Sequence, residues 1–241
     1  SHNQTANRAY KLPGVDERIV VPLRPNAKKA YAALTVSAWV KLETNNHANY
    51  IQILEFYNPN YTGNNVRTLE LKAMGPIYGA DQGKLRFGVR DSSNGSVGVN
   101  TPSAMPLNTL HHVMGVFDGS QVKLYLNGVL VASQAGSVTQ TGIPQTLYIG
   151  KLNMAQWGSQ AYSWKGPIDD IRIYDRALNA AEVTQLHDLE KPPPVAPAIV
   201  TQPAHHQSIV QGSNATLSVD ANGTNLTYQW QRRDDQGNWI N

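Results

Sequence analysis

The stretch His111–Ser133, HHVMGVFDGSQVKLYLNGVLVAS, decides the fold class, because it reads as three short strands joined by an Asp-Gly turn and an Asn-Gly turn. Asn127-Gly128 between alternating runs is a strong short-range hairpin signal, since both central residues of such a loop take positive φ. Asp118-Gly119-Ser120 does the same one strand earlier. Val122, Leu124 and Leu126 alternate with Lys123 and Tyr125, which offers one face of the meander to a core and leaves the other wetter. The same pattern extends outward to LTVSAWVKL at 34–42, KLRFGVRD at 84–91, TLYIGKL at 146–152 and GPIDDIRIYDRAL at 166–178. Helix is expected only at 179–189, where Asn179 and Glu182 have capping-box spacing and Val183 and Leu186 follow as an apolar stripe. The chain is therefore expected to be all-β, a layered antiparallel sandwich.

Composition narrows the function classes. The chain has 241 residues and 41% are hydrophobic, enough for a sizeable core. A net charge of +3 from 20 basic and 17 acidic residues forms no basic stripe interleaved with aromatics, so nucleic acid is not an expected partner. The absence of cysteine excludes disulfides, thiolate metal sites and a cysteine nucleophile. No apolar run has the length of a membrane span, so no membrane insertion is expected. The polar start SHNQTANRAYK has no initiator Met, and we read the chain as a mature or recombinant fragment whose export signal lies elsewhere.

Consecutive prolines in Glu190-Lys191-Pro192-Pro193-Pro194-Val195-Ala196-Pro197 remove backbone donors and hold the chain extended, which divides it into 8–189, a linker at 190–197, and 198–241.

The first part resembles the laminin-G-like domains with the concanavalin A-like jelly-roll fold. The resemblance rests on five landmarks in order: KLPGVDERIVVP at 11–22, LTVSAWVKL at 34–42, HHVMGVFDGSQVKLYLNGVLV at 111–131, LYIGKL at 147–152 and GPIDDIRIYDRALNAAEVTQL at 166–186. Leu110 stands where the family commonly has Trp. The segment 198–241 is similar to the N-terminal part of bacterial immunoglobulin-like domains, with Gln202-Pro203, a turn at Gly212, the strand ATLSV and YQWQ carrying Trp230. Val219 stands where many such domains have Cys. The resemblance implies an extracellular or cell-surface module of a larger bacterial protein. It also implies a structural Ca²⁺ between the first and last strands, for which Asp16 and Asp169 are the candidate side-chain ligands, an oxygen set suited to a hard ion. Strict alternation in GPIDDIRIYD puts Asp169 on one face with Ile171 and Ile173, and so in apolar surroundings.

Loop aromatics form a second constellation. The loops YNPNYTGNN and NMAQWGSQAYSW, with Tyr57, Asn58, Tyr61, Trp157, Tyr162 and Trp164, combine ring faces with amide donors, which suits a glycan ligand. The bland alternative is that these rings cover the end of the sandwich. Catalysis has little support, because a compact Glu-x-Asp-x-x-Glu strand signature is absent. Glu55 and Glu70 can share a sheet, but each is read as a strand-face residue. RTLELKAMG and YIQI weakly resemble strand motifs of jelly-roll alginate lyases. The expectation is a non-catalytic, lectin-like carbohydrate-binding module. Its competitors are a protein-interaction or spacer module of an adhesin and a polysaccharide-degrading enzyme, glycosidase or lyase. Contacts with other domains of the parent protein are also expected.

Overall fold

The computed structural model describes residues 10–13, 18–46, 50–61, 67–93, 95–136, 138, 140–151, 163–224 and 226–240. Two compact units are present, Ser1–Glu190 and Lys191–Asn241.

The first unit is an antiparallel sandwich of two six-stranded sheets. The first sheet has the order β1 (Tyr10–Pro13), β12 (Lys165–Tyr174), β3 (Leu34–Val40), β8 (His111–Phe117), β9 (Gln121–Leu126), β10 (Val129–Ala135). The second has the order β2 (Ile19–Pro22), β11 (Thr146–Ile149), β4 (Tyr50–Tyr57), β5 (Arg67–Met74), β6 (Lys84–Arg90), β7 (Ser96–Ala104). The first and last strands of this unit pair, with Tyr10 opposite Ile168. Alternation decides what lies between the layers. Val36, Ala38 and Val40 of β3 and Val113 and Phe117 of β8 face Leu69 and Leu71 of β5 and Leu85, Phe87 and Val89 of β6 in one continuous core. The stretch 111–133 forms the meander it predicts: Asn127 and Gly128 have φ of 51° and 79°, as the two-residue hairpin requires.

The face of β9 expected to be wet is partly covered. The helix α1 (Ala180–Glu190) packs on the outside of the first sheet, where Met114, Val116, Tyr125, Leu178 and Val183 are buried together. Its capping box forms as the spacing predicts. The Asn179 side chain accepts from the Glu182 amide at 3.0 Å, and the Glu182 carboxylate accepts from the Asn179 amide at 2.9 Å.

One expectation on this sheet needs correction. β12 carries a bulge between Asp169 and Arg172, and Asp170 takes a φ of 45°. The extra residue shifts the alternation, so Ile168 and Ile171 face the core. Asp169 pairs with Trp39 on the outer face, half-buried, and accepts from the Asp170 amide at 2.9 Å. Asp169 is thus not a carboxylate among core isoleucines.

In the second unit, β13 (Ala198–Thr201) pairs with β14 (Asp220–Asn222), and β15 (Arg232–Arg233) with β16 (Trp239–Ile240).

Candidate functional site

The outer face of the second sheet, away from the core, carries a concentration of polar and aromatic side chains that two irregularities create. A bulge near Ile53 in β4 turns both Ile53 and Leu54 inward, so Gln52 and Glu55 share the outer face. A second irregularity, at Thr68 in β5, brings Arg67 opposite Tyr57 and onto the face that holds Glu70 and Lys72. Strand register then lays out two parallel rows. One runs Val20, Tyr148, Glu55, Glu70, Gly88, Gly98 across six strands, and the next runs Gln52, Lys72, Arg86, Asn100.

Glu70 is the centre of this layer. Its carboxylate accepts from Lys72 Nζ at 2.9 Å, Arg86 Nε at 3.1 Å and Arg67 Nη1 at 3.4 Å. Burial alone would push its carboxyl up; Lys72, Arg67 and Arg86 together outweigh that and hold it at about 2. Lys72 gains less from the same contact. Its burial and the like charges of Arg67 and Arg86 outweigh Glu70 and keep its ammonium below the ordinary lysine value. The two partners differ because one carboxylate serves three cations. Beside them, Tyr50 lies under Lys72 Nζ at 4.3 Å and meets Tyr78 edge-on at 5.3 Å, while burial and the Tyr50 hydroxyl push the Tyr78 phenol up. At the other end Tyr57 packs edge-on against Tyr148 at 5.4 Å, and Arg18 lies 5.1 Å over the Tyr148 ring.

Glu55 and Glu70 stand directly opposite each other on neighbouring strands. That is a suggestive arrangement for glycoside hydrolysis, but a general acid needs a carboxyl raised toward neutrality. Glu70 is held in the opposite direction, so it does not fit the general-acid role of such a pair.

The expected site residues separate. Tyr57 is half-buried on the outer face just described. Asn58 and Tyr61 pin their loop to the segment before β11: Asn58 Nδ2 donates to the Ile143 carbonyl at 2.7 Å, and the Tyr61 hydroxyl accepts from the Ile143 amide at 3.1 Å. Trp164 is fully buried in the core cluster, so its ring cannot stack on a ligand, and its assignment to the glycan site is corrected accordingly. Trp157 and Tyr162 lie outside the described residues, as does Asp16. Among the described residues no three His, Asp or Glu side chains gather as a metal set. Asp169 alone does not make a calcium site. The Glu70 cluster is what the sequence reading missed, although Arg67, Glu70, Lys72 and Arg86 were visible as charges inside apolar strands.

A second polar cluster lies under the end of α1. Trp39 and His112 pack at 5.2 Å, and His187 stacks on Trp39 at 5.7 Å. Glu190 pairs with Arg172 and stands 3.6 Å from His112 Nε2.

Comparison with known proteins assigns the first unit. The model of the concanavalin A-like lectin/glucanases superfamily, in its laminin-G form, matches residues 16–184. The chain belongs to this family. The family's fold is found again in solved structures. The ligand-binding domain of botulinum neurotoxin serotype D, in complex with N-acetylneuraminic acid, is 17% identical with a TM-score of 0.57, over 78% of this chain and 45% of that one. The receptor-binding domain of the botulinum neurotoxin C/D mosaic serotype is 17% identical with a TM-score of 0.58, over 77% and 44%. The heptameric SAP-like pentraxin of Limulus polyphemus is 19% identical with a TM-score of 0.52, over 76% and 78%. The chain thus spans less than half the length of the neurotoxin chains it matches. No curated protein matches it.

Proposed function

We propose that the chain is a non-catalytic, lectin-like module that binds carbohydrate and belongs to a larger secreted or surface protein. The observation that carries this reading is the outer face of the second sheet, where half-buried tyrosine rings stand beside arginine and asparagine donors. Sugars offer apolar ring faces to aromatics and hydroxyls to such donors. The family and the sialic acid bound by the serotype D domain support the same reading by analogy of fold. On this reading Tyr57 is the ligand-facing member of the aromatic set, and the segment 198–241, after the linker at 190–197, is the start of an immunoglobulin-like spacer. A glycan array tests it. Retention of at least one polysaccharide is expected, weakened in Tyr57→Ala under conditions where the variant, which loses its contact with Tyr148, is still fully folded. Failure to retain any glycan at millimolar concentration would leave the adhesin-spacer reading in its place.

A structural calcium ion at Asp16 and Asp169, completed by backbone carbonyls, belongs to the same proposal. Added Ca²⁺ is then expected to raise the melting temperature and EDTA to reverse the rise, because an ion that binds only the folded state stabilises it. An unchanged melt in both conditions removes the ion from the proposal.

A further inference from the structure

We propose that the strip of the second sheet's outer face between Arg86 and Arg90, floored by Glu70 and Lys72, is a subsite for a carboxylate-bearing sugar such as a uronate. This rests on the carbohydrate-binding reading above and names the charge class of the ligand. The first support is a charge imbalance. Among the described residues the central strands β4, β5 and β6 present Arg67, Lys72, Lys84, Arg86 and Arg90 on this face against Glu55 and Glu70, and Asp81 beside β6 pairs with Lys84. Three of the five cations converge on Glu70. Of the segments outside the described residues, 47–49, 62–66 and 152–162 contain no Asp or Glu in their sequence, while 14–17 contains Asp16 and Glu17. Excess charge taken out of water is costly unless an opposite charge joins it. In keeping with that, burial holds both Lys72 and Arg90 below their ordinary values despite Glu70.

The second support is the donors that remain. Arg86 uses Nε on Glu70 and Nη1 on Asn100 Oδ1 at 3.1 Å, while its Nη2 lies over Gly98, where a Cβ would come within 2.6 Å of it. Arg90, half-buried, has no ion pair or side-chain hydrogen bond among the described residues. Two guanidinium groups with unused N–H donors therefore flank one place. The third support is the shape of that place. Register sets Gly88 and Gly98 next to Glu70 in the same row, and the missing side chains let the Arg86 guanidinium lie over Gly98 with Gly88 buried between Arg86 and Arg90. Tyr78 and Asn100, both half-buried, border the cluster that holds Arg86. A planar guanidinium meets the two oxygens of a carboxylate in a fork, which favours a sugar acid over a neutral sugar.

Calorimetric titration of the full chain decides the matter, using oligogalacturonate, dextran sulfate and neutral xylo- and cello-oligosaccharides at two salt concentrations. Oligogalacturonate is expected to bind more tightly than the neutral sugars. Arg86→Gln and Arg90→Gln are each expected to weaken it at least tenfold while leaving the neutral sugars unaffected. Gly98→Ser keeps every charge but displaces the Arg86 guanidinium, and is expected to give the same loss. It also serves as the deciding variant if Arg86→Gln does not fold. Binding of neutral sugars without the uronate overturns this inference and leaves the carbohydrate reading standing. Absence of binding by every sugar overturns both. Equal binding of dextran sulfate and oligogalacturonate, abolished for both by salt and indifferent to Gly98→Ser, marks a diffuse cationic surface and also overturns it.

Discussion

Glu70 concentrates at one residue what the outer face does. Glu70→Gln removes the shared partner of Arg67, Lys72 and Arg86 while keeping the shape, and leaving buried cations unpaired costs about 3–5 kcal/mol. A large fall in melting temperature is therefore expected. The pH dependence follows from the same contacts. Burial raises the carboxyl but the three cations hold it at about 2, against 4.5 ordinarily. The contribution, about 3 kcal/mol, is complete above pH 4.5 and is lost only as the pH falls toward 2. Denaturant melts of wild type and Glu70→Gln should converge over that window, and a difference that persists unchanged at pH 2 would contradict the assignment. A second residue-scale test lies in the core. A Cβ on Gly115 of β8 would stand 2.3 Å from the Phe87 ring of the facing sheet, so Gly115→Ala is expected to cost 1–3 kcal/mol, roughly, by overpacking. Phe87→Leu in the same background should recover part of it. The Glu70 cluster was only partly legible in the sequence. The charges were visible, but strict alternation separates Gln52 from Glu55 and Arg67 from Glu70, and it is the two bulges that unite them.

At the scale of elements, the helix α1 was legible because capping, stripe and stop are all local signals, and its box forms as spaced. What it covers was not legible, since that depends on which sheet face receives it. The covered face includes His112, which meets Trp39, His187, Glu190 and Arg172. Burial, reinforced by His187 and Arg172, holds the His112 imidazole down at about 4. The unfolded chain takes up this proton near 6.5, so it binds more protons than the folded chain between pH 6.5 and 4. Stability is therefore expected to be full above pH 6.5 and to fall by about 3 kcal/mol as the pH drops toward 4. Glu190 works in the opposite sense, because burial pushes its carboxyl up despite Arg172. His112→Gln should flatten the decline if the imidazole causes it. Protection of the Ala180–Glu190 amides, taken relative to the intrinsic exchange rate at each pH, should fall with acid in the wild type only; an equal fall in both proteins would assign the decline elsewhere.

For the whole molecule, the fold class could be read from turns and alternation, because a hairpin and its two flanking strands lie within a few residues of one another. The division after Glu190 falls beside three consecutive prolines, which cannot continue a helix or join a ladder. What composition did not reveal is how unequal the units are. The first has a continuous core across twelve strands, whereas no described residue of the second is buried. Ile199, Val200, Val210, Leu217, Trp230 and Trp239 are all more than half exposed there, and an apolar groove runs past Pro203, Val219 and Leu226. Hydrophobic burial is the main favourable contribution to folding, and without it the entropy of ordering the backbone is not offset. Residues 1–190 produced alone are therefore expected to melt cooperatively at the temperature of the main transition of the full chain, within about 2 °C, a shift of no more than about 1 kcal/mol for a unit of this size. Residues 191–241 alone should give no cooperative melt and should bind a hydrophobic dye. Cleavage in 191–197 ought to leave the main transition in place. A lower melting temperature for 1–190 than for the full chain would mean that the second unit contributes to the stability of the first, and the exposed apolar side chains would then have a partner within the chain itself.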